Sequence, residues 1–259
     1  MSEIIVAKIG GSTLGNHDTT LADVAELQRR GARPVIVHGG GALISDWLKR
    51  LDVPTRFERG LRVTDAASLE TVVAVLAGLV NKQLVASLAS LGARASGLSG
   101  ADEGLLQATI RDEALGYVGD ITGVDPTAVR RIIEGGAVPV IAPVGMEYRV
   151  GSPTGQLLNI NADTTAGAIA AAIGAASLVF LTDVSGVQAN GGVLDSLSST
   201  QAHELIDAGV IEGGMIPKVE ACLRAASAGA SAVIVDGREE HALLSLIDGT
   251  RAGTLVGQE

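Results

Sequence analysis

The chain has 259 residues, enough for one large or two modest domains with a sizeable hydrophobic core. Hydrophobic residues make up 47% and aromatic residues only 2%, so the core must consist of Ala, Val, Ile and Leu. Together with 34 glycines, this composition is typical of a parallel α/β protein with many tight turns. The net charge of −10 argues against a surface that binds nucleic acid or an anionic membrane.

Strands and helices are predicted to alternate along the whole chain. The first predicted elements are strand 3–9, helix 17–30, strand 34–38 and helix 41–51, followed by a long helix that begins after the N-cap Thr64 or Asp65 and ends at about Leu91, with Gly92 as its stop. The middle of the chain is predicted to form a hairpin at 104–122, helix 125–135, strand 137–143 and a second irregular hairpin at 145–160. The last predicted elements are a helix after 159–163, strand 177–182, helices near 200–209 and 216–229, strand 231–236 and a final helix. Repeated β–α units indicate a mostly parallel sheet covered by helices. We expect one α/β domain over 1–259, a three-layer αβα sandwich with an N-terminal lobe (1–174) and a C-terminal lobe (175–259).

Cysteine usage and hydropathy indicate the compartment. The single cysteine, Cys222, permits no internal disulfide and fits a reducing compartment. The start "MSEIIVAKIGG" lacks a signal-peptide pattern. Residues 164–182 carry no charge, but Gly174 divides them into an Ala-rich helical half and a β-rich half, which favours buried helix and strand over a membrane span. We expect a soluble cytoplasmic protein without nucleic-acid or membrane partners.

Glycine-rich turns follow three of the predicted strands. "KIGGSTLG" follows the first strand, "HGGGA" the second, and "TDVSGV" the strand at 177–182. Ligands of parallel sheets bind at the carboxyl ends of the strands. A glycine turn before a helix exposes backbone N–H groups, and the helix dipole also attracts anions there. The three turns therefore predict an anion-binding edge.

Two common nucleotide motifs fit poorly. A P-loop needs Gly-Lys-Ser/Thr, and the chain contains no Gly-Lys dipeptide. The dinucleotide pattern G-x-G-x-x-G matches Gly39 and Gly41 but has Ile44 at its third glycine, with Glu58 as a weak match to the expected acid. The alternative to ligand binding is that the glycines only make a tight turn.

Lysine is rare in this chain, which makes each lysine informative. Only four of the 19 basic residues are lysines, and a retained lysine supplies a compact point charge. Lys8 ends a buried strand, where a charge needs an anion or a carboxylate partner. Lys218 follows a Gly/Pro loop before a helix, although chance usage could also explain it. Lys49 and Lys82 lie on predicted helices and are interpreted as surface or packing residues.

The segment "NINAD" supplies amides and a carboxylate. Asn159, Asn161 and Asp163 alternate along an extended segment that precedes an Ala-rich helix. N-capping by Asp163 or Asn161 explains one of them but does not require all three. Amides that hold a polar substrate, a carboxylate that orients lysines and lysines that neutralise charge together suggest phosphoryl transfer without a Walker motif.

Eight segments occur in the order found in the amino acid kinase family, which the chain resembles from residue 3 almost to its end. They are "AKIGGSTL" (7–14), "VIVHGGGALI" (35–44), "GLRVTD" (60–65), "GLVNKQL" (78–84), "GLSGADEG" (97–104), "NINAD" (159–163), "LTDVSGV" (181–187) and "GGMIPKVEACLRAASAGA" (213–230). The resemblance is strongest to members that act on N-acetyl-L-glutamate. It implies transfer of the ATP γ-phosphoryl group to the side-chain carboxylate of that substrate, and it implies the carbamate kinase-like fold of the family.

The resemblance also implies roles for the catalytic residues. Lys8 and Lys218 would neutralise charge on the phosphoryl group during transfer, and Asp163 would hold both lysines. For a substrate that is already nucleophilic, no general base is needed; the difficulty is to bring two anions together.

Substrate contacts follow from the same resemblance. Gly11, Gly40 and Gly41 would offer backbone N–H groups, Arg62 would bind the α-carboxylate, and Asn159 would bind the α-carboxylate or the N-acetyl region. The alternative for Arg62 is a surface ion pair with Asp65.

Nucleotide contacts are expected mainly in the C-terminal lobe. The implied ATP-binding residues are Gly10, Thr182, Asp183, Ser185, Gly186, Val187, Val210, Ile211 and Glu212. Mg²⁺ would be held mainly by the phosphates, without a metal cage made of protein alone. His38 is interpreted as a turn-stabilising histidine.

One departure and three alternatives accompany the resemblance. The chain starts at its first strand without the extra N-terminal helix of arginine-inhibited relatives, which implies an arginine-insensitive homodimer. A sister kinase that acts on glutamate or aminoadipate linked to an acidic carrier protein shares most of the motifs, although the charge of −10 disfavours an acidic partner. Kinases of aspartate, glutamate, carbamate or uridylate fit the motifs less well. A non-catalytic sensor on the same fold is the alternative outside enzymes.

Overall fold

The computed structural model describes residues 3–10, 19–58, 60–189 and 191–257. Its strands are β1 (Ile4–Ile9), β2 (Arg33–His38), β3 (Phe57–Glu58), β4 (Leu61–Arg62), β5 (Ala95–Ser99), β6 (Leu106–Ile110), β7 (Val118–Val124), β8 (Val138–Ala142), β9 (Val144–Arg149), β10 (Ser152–Ile160), β11 (Ser177–Thr182), β12 (Gln188–Ala189), β13 (Gly192–Val193), β14 (Ser196–Leu197), β15 (Ser231–Asp236) and β16 (Thr254–Val256). Its α-helices are α1 (Thr20–Arg29), α2 (Gly41–Arg50), α3 (Ala66–Val73), α4 (Asn81–Ser90), α5 (Thr127–Glu134), α6 (Ala162–Ile173), α7 (Ser199–Asp207), α8 (Met215–Ser227) and α9 (Ala242–Ile247).

Eight strands form the central sheet, in the order β14-β16-β15-β11-β1-β2-β8-β5. All neighbours are parallel except β15 and β16. The first strand lies between β2 and β11, and its Lys8 is in register with Val37 on one side and Phe180 on the other. The strand order therefore reverses at β1, and such a switch point is where open α/β sheets bind ligands.

The sheet is buried on both faces because its strands are apolar at successive positions. Val6 belongs to the core cluster that includes α6 and α8, whereas Ile5 and Ala7 belong to the cluster that includes α1, α2 and α9. Alternate residues of one strand thus point into two separate cores. This arrangement confirms the predicted three-layer αβα sandwich with a mostly parallel sheet.

A long helix over Ala66–Ser90 covers one face of the sheet, and a π-helical segment, Ala74–Val80, joins α3 to α4 within it. As predicted, Asp65 caps its start, accepting a hydrogen bond from Ser68 N, and Gly92 follows its end with a φ of +81°. By length and composition this helix could cross a membrane, yet its inner side packs in the α1–α2–α9 core cluster. The uncharged stretch 164–182 forms most of α6 and all of β11, as the sequence indicated.

The two predicted hairpins exist, and they combine into a closed barrel that the sequence did not predict. The antiparallel pairs β6–β7 and β9–β10 are joined by the parallel pairs β6–β9 and β7–β10. Its interior is narrow: a Cβ added to Gly119 would lie 2.7 Å from Ile160 Cδ1. Parallel pairing joins residues far apart in the chain, and it leaves no local signal in either hairpin.

Three strands of the central sheet were also missed. The segment of β5 is Ala-Ser-Gly-Leu-Ser, which lacks β-branched and aromatic residues. β14 and β16 contain only two and three residues and depend on their neighbours for pairing. The division into lobes at residue 174 stays a prediction.

Candidate active site

Two lysines and one carboxylate meet at the carboxyl end of β1. Lys8 Nζ lies 2.6 Å from Asp163 Oδ1, and Lys218 Nζ lies 2.9 Å from Asp163 Oδ2. The side chains are 10%, 19% and 8% exposed for Lys8, Lys218 and Asp163. Two ammonium groups on one carboxylate leave a net positive charge in a largely buried place, which suits an anionic ligand.

Asp163 stays ionised because of its partners. Burial alone would raise the pKa of its carboxyl group, but the charges of Lys8 and Lys218 outweigh this effect and hold the pKa below the ordinary value. The carboxylate is therefore a permanent anchor for both lysines near neutral pH.

Helix packing brings Lys218 to Asp163. Asp163 lies in the first turn of α6, where Asn161 is the N-cap and accepts hydrogen bonds from Asp163 N and Thr164 N. The neighbouring helix α8 carries Lys218 and approaches α6 closely at Gly167, where an added Cβ would lie 2.7 Å from Ala221 O. Of the two predicted N-caps, Asn161 is the one observed, which leaves Asp163 available to the lysines.

The glycine turn after β2 leads directly into α2. Gly40 is the N-cap residue and has no side chain with which to cap the first turn. Gly40 and Gly41 both line the cavity described below, so the start of the helix faces that cavity. An uncapped helix N-terminus with N–H groups toward a cavity favours an anion. Gly40 and Gly41 are thus placed where the sequence analysis expects them, whereas Gly11 lies outside the described residues.

His38 is fully buried and stabilises this turn by a hydrogen bond to its backbone, as predicted. Its Nδ1 lies 3.1 Å from Gly39 O, so Nδ1 carries the proton and Nε2 accepts from Asn81 Nδ2 at 3.2 Å. The C=O and N–H of a trans peptide point in opposite directions, so this bond turns the Gly40 N–H away from the ring. Burial lowers the pKa of His38 to about 4, which keeps the ring neutral.

Arg62 reaches the same place from the β3–β4 hairpin and is only 8% exposed. Its Nη2 donates to Gly41 O at 3.0 Å and to Ser45 Oγ at 2.8 Å. Its Nη1 is buried and has no hydrogen-bond partner among the residues that the structure describes. Asp65 caps α3 instead of pairing with Arg62, so the surface ion pair considered as an alternative is not formed.

Asn159 lies on β10 and donates from Nδ2 to Thr64 Oγ1 at 3.1 Å. Thr64 in turn donates to Arg62 O at 2.9 Å, so one buried hydroxyl connects the two residues predicted to bind the substrate.

One cavity of about 260 Å³ contains most of the predicted acceptor site. Its walls include the predicted residues Lys8, Gly40, Gly41, Arg62, Asn159 and Asp163, together with Gly39, Asn161 and apolar side chains such as Ile44, Phe57 and Leu76. A pocket with apolar walls and a few convergent polar groups is typical of small-molecule sites. The structure therefore brings together residues that are separated by more than 150 positions in the sequence.

The residues predicted to contact ATP lie on separate segments. Gly10 directly follows β1, and Thr182 ends β11 with Asp183, Ser185 and Gly186 in the loop that follows. Val210 and Glu212 are exposed between α7 and α8. Val187 and Ile211 have buried side chains within the hydrophobic core, so only their main chains could meet a ligand. The nucleotide roles of these residues stay predictions.

Three residues that hydrogen-bond to the site residues were not identified as site residues in the sequence analysis. Ser45 lies four positions after Gly41, a spacing that places both on one side of α2 and could have revealed it. Asn81 is a fully buried polar residue in an apolar helix, which is a second available signal. Thr64 was considered only as a helix cap.

Within the described ranges, no group of three or more His, Cys, Asp or Glu side chains could hold a metal ion.

Known proteins are similar to this chain over nearly its whole length. A sequence model of the amino acid kinase family matches residues 3–236. The chain belongs to the amino acid kinase family. A curated member from Dehalococcoides mccartyi (strain CBDB1), named acetylglutamate kinase, is 44% identical over 261 residues, covering 99% of this chain and 96% of its own.

Solved structures support the amino acid kinase fold. The crystal structure of smu.665 from Streptococcus mutans UA159 is 33% identical, covers 100% of both chains and superposes with a TM-score of 0.83. Carbamate kinase from Giardia lamblia bound to AMP-PNP is only 12% identical but covers 100% of this chain and 99% of its own, with a TM-score of 0.72. At that identity, the second likeness concerns the fold alone.

Proposed function

We propose that the chain phosphorylates the side-chain carboxylate of N-acetyl-L-glutamate with ATP, giving N-acetyl-L-glutamyl 5-phosphate in arginine biosynthesis. The observation that carries this proposal is a single cavity lined by both Lys8, which pairs with Asp163, and Arg62, whose Nη1 has no hydrogen-bond partner in the described structure. A dicarboxylate such as N-acetylglutamate would use both cationic groups. The name of the 44% identical relative supports the same substrate.

The chemistry follows from the charges. A glutamate side chain is ionised near neutral pH and is already a nucleophile, so its oxygen attacks the γ-phosphorus while the bond to ADP breaks. The main barrier is the repulsion between the carboxylate and the nucleotide phosphates. Lys8 and Lys218 lower this barrier by neutralising charge, and Asp163 keeps both ammonium groups in place without reorganisation.

The glycine turn completes the acceptor side. The uncapped start of α2 at Gly40 and Gly41 would direct N–H groups toward the attacked carboxylate and the phosphoryl group. The carbonyl of Gly39 is fixed by His38, so the turn is pre-organised before substrate binds.

The nucleotide is proposed to bind beside Thr182–Val187 and Val210–Glu212. Val187 N donates to Thr254 Oγ1 at 2.8 Å, which holds the first of these segments against strand β16. Mg²⁺ would be held mainly by the ATP phosphates and would neutralise their charge.

A homodimer in the cytoplasm is the assembly we propose. The apolar window of helix Ala66–Ser90 is only 39% buried in the single chain, which leaves apolar surface for a second copy. Analytical ultracentrifugation should give about twice the 26.1 kDa mass of one chain, and a monomer would contradict this part of the proposal.

Acyl phosphate formation tests the proposed activity. The purified protein is incubated with MgATP and one acceptor, and the product is trapped with hydroxylamine as a hydroxamate. N-acetyl-L-glutamate should support product formation, whereas L-glutamate, L-aspartate and glutamate or aminoadipate on a carrier protein should support little. Preference for the carrier-linked acceptor would replace the proposed substrate with the sister reaction, and no product with any acceptor would contradict a kinase.

A further inference from the structure

We propose that Thr64 is a positioning residue for the acceptor substrate, because its hydroxyl couples Arg62 to Asn159. The inference rests on the proposed function, since it assumes that these two residues bind the acyl substrate. Thr64 itself does not line the cavity and is fully buried, so it acts through its two neighbours.

The hydrogen-bond pattern gives the hydroxyl a defined direction. A threonine hydroxyl has one proton to donate, and here it is donated to Arg62 O at 2.9 Å. The contact with Asn159 at 3.1 Å must then be accepted by Thr64 Oγ1, so Asn159 presents Nδ2 to it. The Asn159 amide is thereby held in one of its two flipped orientations, with Oδ1 turned away from Thr64.

The main chain around Thr64 shows why this coupling is specific to the side chain. Thr64 N donates to Leu115 O at 2.9 Å, and Tyr117 N donates to Thr64 O at 2.7 Å. Asn159 N in turn donates to Tyr117 O at 2.8 Å. These bonds join the three segments without the hydroxyl, so removing the hydroxyl should preserve the fold and release only the two side-chain contacts.

Arg62 and Asn159 lie 97 positions apart in the sequence, on strands that are not paired with one another. The shared hydroxyl connects the backbone of β4 to the side chain of Asn159. Because it carries no charge and lies outside the lysine cluster, its loss should weaken acceptor binding without changing the chemical step.

The test compares Thr64→Val, which removes the hydroxyl at nearly constant shape, with Thr64→Ser, which keeps it. Thr64→Val should raise KM for the acyl acceptor about 3- to 10-fold, the factor expected for one hydrogen bond. The kcat and the KM for ATP should stay close to wild type, and Thr64→Ser should restore most of the acceptor affinity. In an Asn159→Ala background, Thr64→Val should have a smaller effect, because the side-chain amide that the hydroxyl holds is already gone.

Thr71→Val is the matched control. Thr71 is also buried, at 6% exposure, but its hydroxyl donates to Ala67 O of its own helix at 3.3 Å. This variant should leave all kinetic constants near wild type. Equal losses in Thr71→Val and Thr64→Val would identify a general effect of removing a buried hydroxyl and would overturn the inference.

Two further outcomes separate the inference from the proposed function. An active wild-type enzyme whose Thr64→Val variant keeps its acceptor KM, or loses kcat instead, would overturn the inference alone. If wild type prefers a carrier-linked acceptor, the proposed substrate fails, and the same KM comparison is made with that acceptor. Absence of turnover with every acyl acceptor would contradict both.

Discussion

At the scale of single residues, charge balance around Asp163 governs the site. Its carboxylate touches two ammonium groups, and its pKa is held below the ordinary value although it is buried. Removing either lysine would leave the remaining cation and the carboxylate paired one to one. The excess positive charge that attracts an anion would then disappear. Anion binding therefore depends on the presence of both lysines.

Arg62 permits a prediction about binding rather than chemistry. Arg62→Ala should raise KM for N-acetylglutamate by at least tenfold, because hydrogen bonds to charged groups contribute about 1.5–3 kcal/mol. The KM for ATP should change little. Arg50→Ala, which removes an exposed arginine stacked on Trp47, serves as the control and should leave both constants unchanged. A normal acceptor KM in Arg62→Ala would remove this residue from the proposed site.

His38 should make stability depend on pH. Its pKa is about 4 in the folded chain and near 6.5 when unfolded, so the unfolded state binds more protons between these values. The contribution of His38 is complete above pH 6.5 and is lost as the pH falls toward 4. At pH 5 the loss should reach roughly 2 kcal/mol of unfolding free energy.

Urea unfolding at pH 8 and pH 5 gives the loss of unfolding free energy on acidification, and this loss is compared between wild type and two histidine variants. Between pH 8 and pH 5, His38→Gln should lose roughly 2 kcal/mol less unfolding free energy than wild type. The control His203→Gln, which changes an exposed histidine, should lose as much as wild type. The comparison cancels the opposite contribution of His241, whose pKa is raised by its hydrogen bond to Asp23. Equal acid sensitivity of all three proteins would show that His38 is not held neutral.

At the scale of elements, close contact between α6 and α8 aligns Asp163 with Lys218. Gly167→Ala should push these helices apart, because its Cβ would lie 2.7 Å from the backbone oxygen of Ala221. We expect a destabilisation of about 1–3 kcal/mol from overpacking and a lower kcat, measured by urea unfolding and steady-state kinetics.

Gly78→Ala is the matched control for this change. Gly78 is also helical, but no atom lies within 4 Å of an added Cβ, so alanine should keep or slightly raise stability. If both variants were equally stable, the close approach of the helices would not constrain the site.

Local patterns were sufficient to predict most elements and the charged centre of the site. Lys8 stood out because a charge at the end of a buried strand needs a partner, and Asp163 proved to be that partner. The barrel, β5 and β16 were not predictable from local patterns, because their pairing joins distant segments or involves few β-forming residues. Thr64 was missed for a related reason: its hydroxyl bonds to Asn159, 95 positions away in the sequence, which no local spacing encodes.

At the scale of the whole molecule, one sheet runs through both predicted lobes. The pairing of β1 with β11 crosses the boundary at residue 174, and so does the contact between α6 and α8. We therefore expect the chain to unfold in one cooperative transition. The single tryptophan, Trp47, reports on the N-terminal part, while far-UV circular dichroism reports on the whole chain. Coincident midpoints are expected, whereas separate midpoints would indicate lobes that unfold independently.

The most direct test of the proposed mechanism is the kcat of Lys8→Ala and Lys218→Ala in the N-acetylglutamate-dependent hydroxamate assay. Lys49→Ala, which removes an exposed lysine on α2, is the control. We expect kcat to fall on the order of 10²-fold or more in both Lys8→Ala and Lys218→Ala, by comparison with the loss of one oxyanion donor. Lys49→Ala should turn over like wild type. A near-normal kcat in either Lys8→Ala or Lys218→Ala would contradict the proposed mechanism.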